Sequence, residues 1–109
     1  MRFLFFLIIT AFFFSLPAWA QTSDESKKLN SMLESYFEDI LKLYPIYATQ
    51  IGDSRYDDRF ENDIGEEHRA KAKGVYDRYL KALSGIDRSR LIGQDRLSYD
   101  QFKFETELR

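Results

Sequence analysis

Cysteine is absent from this 109-residue chain, and histidine and tryptophan each occur once. Each scarcity removes a class of chemistry. Without cysteine there is no disulfide, no thiolate nucleophile and no thiol to carry a lipid. With His68 alone, zinc catalysis within the chain is excluded, because such a site takes at least three protein ligands, usually including two histidines one helical turn apart. There is no G-x-S-x-G elbow and no phosphate-cradling glycine loop. N-x-S/T glycosylation is excluded too, since Asn30 and Asn62 are followed two residues on by Met32 and Ile64. No internal repeat, sustained heptad seam or low-complexity tract is found. No catalytic, metal-binding or cofactor-binding residue is therefore assigned.

What is present begins with an export signal. Met1 and Arg2 give a cationic start, Phe3 to Leu16 is apolar, and Ala18-Trp19-Ala20 is a small-residue cleavage sequence. Residues 1–20 read as a signal peptide cut between Ala20 and Gln21. A helix over the apolar stretch spans roughly 21 Å, short of the ~30 Å hydrocarbon core, and Pro17 breaks it beside the cleavage site. Retention as an inner-membrane anchor is the rival reading, and it is the only membrane contact the sequence suggests. The expected location is periplasmic or extracellular.

Removing 20 of the 109 residues leaves 89, with one fewer Arg and all 18 acidic residues, for a formal charge near −3. That balance offers no basic face for nucleic acid. A disulfide-free chain of this size must rely on apolar burial alone.

Helical periodicity dominates the mature part, so the expected fold class is all-α: about three amphipathic helices plus one short helical turn. Leu29, Met32, Leu33, Tyr36, Phe37, Ile40, Leu41 and Tyr44 trace one stripe. Ser23 or Asp24 can cap its start, and Pro45 stops it. Pro45 to Gly52 reads as one or two helical turns between a first-turn proline and a glycine terminator. Asp53 to Gly65 reads as a loop. Helix returns over Glu66–Ser84, with Gly85 as its stop. Glu66-Glu67-His68 at its start is read as acidic residues suited to the helix dipole.

The last helix starts at Asp95 or a neighbour. At about 100° per residue, Leu97, Phe104 and Leu108 share one side while Tyr99 and Phe102 lie opposite. One neighbour cannot cover both. With no terminating glycine or asparagine at Leu108-Arg109, the expectation is an incomplete piece of a larger helical fold, partnered by the remainder of that fold or by a helical partner.

The densest polar cluster is Arg55 to Asp63. No register fits a calcium-binding EF-hand, and alternating signs favour a solvated loop pinned by ion pairs and Asx turns. A substrate-facing loop formed by Arg55, Tyr56, Asp57, Asp58 and Arg59 is the second reading, and a metal site the third.

The helix carrying Tyr36 and Phe37, then Pro45, Ala48, Thr49 and Gly52, then Arg55-Tyr56-Asp57-Asp58-Arg59, and finally Leu91, Asp95-Arg96-Leu97 and Tyr99-Asp100, together resemble the N-terminal portion of the bacterial domain-of-unknown-function 885 family. The resemblance implies an exported helical protein of several hundred residues, similar to zinc metallopeptidases. Its H-E-x-x-P-G-H helix would hold the zinc in a full-length protein, and none of those positions exists here. The implied role is scaffold or cleft wall, with the Arg55 loop near substrate. A self-contained secreted helical interaction module without enzymatic activity is the alternative.

Overall fold

The computed structural model describes residues 23–109, which are helical without strands: α1 (Asp24–Leu43), α2 (Pro45–Gln50), α3 (Glu66–Ser84) and α4 (Gly93–Glu107), with 3₁₀ turns at Ser54–Tyr56 and Arg88–Arg90. The segment read as a signal peptide, with the expected cleavage between Ala20 and Gln21, lies outside the described residues. No helix among the described residues is long and apolar enough to cross a membrane.

Ser23 caps α1, its hydroxyl accepting from the Ser26 N–H at 3.0 Å, while Asp24 and Glu25 occupy the first turn. Pro45 opens α2 at a position where its missing N–H costs nothing. Gly52 closes α2 at φ 88°. Its N–H donates to Thr49 O and the Asp53 N–H to Ala48 O, the paired bonds of a left-handed helix terminator that a side chain would strain.

α3 and α4 both pack on α1. The larger cluster joins Leu29 and Met32 of α1, Tyr79 and Leu83 of α3, Ile86 and Leu91 of the connection, and Phe102 of α4. A second joins Leu43 to Ala72 and Tyr76, and a third joins Leu41, Ala48 and Tyr56. Each fully buried leucine contributes about 1.5–3 kcal/mol of transfer free energy. Tyr36 sits between the helices, edge-on to Tyr79 at 5.3 Å and to Phe102 at 4.8 Å, geometry that favours aromatic pairs.

The stripe on α1 is wider than what it buries. Phe37 is exposed, whereas Leu43, off the stripe, is buried, because α3 crosses only part of the apolar arc. α4 begins at Gly93, before Asp95. The segment read as a loop contains a 3₁₀ turn that buries Tyr56. His68 lies in the first turn of α3, beside Glu66 and Glu67. It is buried, edge-on to Tyr44 at 5.1 Å, with no hydrogen-bond partner on either ring nitrogen.

The faces of α4 separate as the helical angle requires. Phe102 is buried and Tyr99 packs on the core, while Leu97, Phe104 and Leu108 are 58%, 64% and 72% exposed.

Candidate functional site

The Arg55 segment follows from its short-range chemistry. The Asp53 carboxylate accepts from the Arg55 N–H at 3.1 Å, an Asx turn that starts the 3₁₀ turn. The Arg55 guanidinium then donates to Asp53 at 2.6 Å and to Glu38 of α1 at 2.9 Å. Those hydrogen bonds hold the Asp53 carboxyl below its ordinary range and make the guanidinium harder to deprotonate.

Tyr56 inserts between α1 and α2, with the Arg55 and Arg59 guanidiniums over its ring at 5.4 and 5.3 Å. Asp57 accepts from the Thr49 hydroxyl. Arg55, Tyr56 and Asp57 thus fasten the loop to α1 and α2, while Arg59 stacks on Tyr56 within it. Asp58 is exposed, and no side-chain hydrogen bond or ion pair is found for it among the described residues.

A second polar constellation was not legible in the sequence. The Asp39 carboxylate accepts from the Tyr79 hydroxyl at 2.6 Å, from Arg78 at 2.6 Å and from Lys42 at 3.2 Å. The Tyr79 bond is the main reason its carboxyl lies below the usual range. Burial, reinforced by the same bond, pushes the Tyr79 phenol up to about 12. The Tyr44 and Tyr76 hydroxyls meet at 3.1 Å, and burial pushes the Tyr44 phenol to about 12 as well. These contacts tie α1 to α3; residues thirty to forty positions apart carry no periodic mark that would reveal them.

Of the depressions beside this framework, two are lined in part by tyrosines. One, of about 220 Å³, lies at the α1–α2 corner and reaches Glu61 and Asp63. The other, of about 650 Å³, is lined by Tyr44, Tyr76, Lys73 and Arg109 among others. There Lys73 is paired with Asp77 at 2.6 Å, and Arg109 lies over the Tyr76 ring at 5.5 Å. Among the described residues no group of three or more His, Cys, Asp or Glu could hold a metal ion.

No family model, no curated protein and no solved structure matches the chain.

Proposed function

We propose that residues 21–109 are a scaffold segment from the N-terminal part of an exported, metallopeptidase-like hydrolase, forming one wall of a cleft whose catalytic groups lie outside this chain. The observation that carries this reading is the bare outer face of α4. Leu97, Phe104 and Leu108 lie on one flank and are each more than half exposed, although Phe102 on the same helix is buried. A helix apolar on both flanks belongs between two layers, and α1 and α3 supply only one.

Activity class and zinc rest on the resemblance carried by the Pro45 to Gly52 turn, the Arg55 to Arg59 loop and the Asp95 to Asp100 segment. In that setting Asp58 and the outer edge of Arg59 are the loop groups that meet a peptide, while Arg55, Tyr56 and Asp57 hold the loop in place. Export rests on the pattern of Met1 to Ala20, with release before Gln21. The gene sequence beyond the Arg109 codon tests the reading. An open frame continuing to an H-E-x-x-P-G-H stretch supports it, and a stop codon there contradicts it.

A secreted helical interaction module is the second reading, favoured by the same uncovered α4 flank serving as a docking face for a separate helical partner.

A further inference from the structure

The corner where α1 gives way to α2 forms a small cavity of about 220 Å³, whose composition is unlike the rest of the surface. Pro45, Ile46, Tyr44 and Tyr47 provide aliphatic and aromatic wall, and the only charged residues on the lining are Glu61 and Asp63. Ile46 and Tyr47 are nearly half exposed, so the wall is open to a visitor.

Neither carboxylate is in an ion pair among the described residues. Lys71, whose ammonium feels the Glu61 charge, is bound to Glu67 at 3.0 Å. The neighbouring cations Arg55 and Arg59 are folded onto Tyr56. The depression therefore mixes apolar wall from Leu43, Pro45 and Ile46 with polar groups from Tyr44, Tyr47 and Gln50, and its only charges are the two carboxylates.

Size and charge together select the occupant. The volume falls below the roughly 300–1,000 Å³ of sites that enclose a whole small molecule, so it suits a single side chain. A bare metal ion is poorly served, since hard cations take about six to eight oxygen ligands and the lining offers two carboxylates. A lysine or arginine side chain fits both features: its methylene stem lies against apolar wall while its charged head stays at a wet, acidic edge, and the tyrosine rings offer cation–π contact. Phe60 and Ile64, which flank the acidic pair in sequence, are 86% and 81% exposed and are free to meet apolar neighbours of the basic residue.

We propose that this corner is a docking site for a basic residue set between apolar neighbours on a partner polypeptide. The site is separate from the α4 flank and stands whether or not the hydrolase reading holds.

The test titrates the full-length chain with two acetylated, amidated pentapeptides, Ala-Leu-Lys-Leu-Ala and its counterpart with norleucine in place of lysine. The lysine peptide is expected to bind about three- to tenfold more tightly at low salt, with the margin shrinking as salt rises. In the Glu61→Gln/Asp63→Asn variant, with helical circular dichroism unchanged, the margin disappears. Tyr47→Ser weakens both peptides. Any of four results overturns the proposal: equal affinity for the two peptides, no binding of either at millimolar concentration, a margin that survives the double substitution, or sedimentation showing the corner already covered by a second copy of the chain. A sub-millimolar calcium affinity lost in the double variant would overturn it in favour of a cation site.

Discussion

The Glu25 carboxylate accepts a hydrogen bond from the Asp87 backbone N–H at 2.8 Å, joining the first turn of α1 to the connection between α3 and α4. Lys28 donates to the other oxygen at 2.7 Å, and Arg90 stands 3.9 Å away. This first-turn residue thus ties the start of α1 to the α3–α4 connection. Those contacts, Lys28 first and the Asp87 N–H second, keep its carboxyl below the ordinary range.

An acid dependence follows. Glu25, Asp39 and Asp100 all titrate lower in the folded chain than their ordinary values of 4.5 for Glu and 3.8 for Asp. As pH falls below those values the unfolded chain takes up protons that the folded chain still refuses. The stabilisation is complete above about pH 5 and is lost on acidification through the folded-state values. Melting temperature followed from pH 7 to pH 3 should decline across this window, and Glu25→Gln should flatten the decline. At pH 7, Glu25→Ala should lower the melting temperature more than Asp24→Ala, whose carboxylate is exposed.

Alkali acts through the phenols. Tyr44 and Tyr79, at about 12, stay neutral in the folded chain while their unfolded counterparts ionise near 10. Stability is whole below pH 10 and falls between about 10 and 12. Phenolate absorbance should show these tyrosines titrating late, in step with unfolding. Tyr79→Phe should remove one late group and weaken the tie to Asp39.

Gly74 lies mid-helix in α3, and a Cβ built there meets nothing within 4 Å. Gly74→Ala should raise stability by about 0.5–1 kcal/mol, read as a shift in the chemical-denaturation midpoint with an unchanged slope.

The Arg55 loop separates into anchors and a free edge. Asp57→Ala should cost about 1 kcal/mol or less by releasing the Thr49 hydroxyl, whereas Asp58→Ala should leave stability unchanged. In a full-length relative, turnover that survives Asp58→Ala would remove Asp58 from any role at the substrate.

Much of the fold was legible in the residues themselves. Ser23, Pro45, Gly52 and Gly85 punctuate the chain with backbone chemistry that acts locally, so three of the four helices begin and end where the sequence places them. The two-sided greasiness of α4 was visible for the same reason, being a matter of angle along one helix. Burial of His68, the choice of Glu38 as a partner for Arg55 and the bonds Glu25–Asp87 and Asp39–Tyr79 were not. Each depends on which distant side chain arrives opposite, and a carboxylate in a first helical turn reads the same whether it faces water or a backbone N–H sixty residues away.

The uncovered flank of α4 is tested most directly by apolar-dye fluorescence of residues 21–109, comparing the parent chain with Leu97→Gln/Phe104→Gln. The parent is expected to bind dye and melt over a broad range. The paired substitution should abolish most of the dye signal without loss of helical circular dichroism, whereas Phe102→Gln should collapse both. A parent chain that takes up no dye and melts in one sharp two-state transition, or a paired variant that unfolds as Phe102→Gln does, would contradict the account.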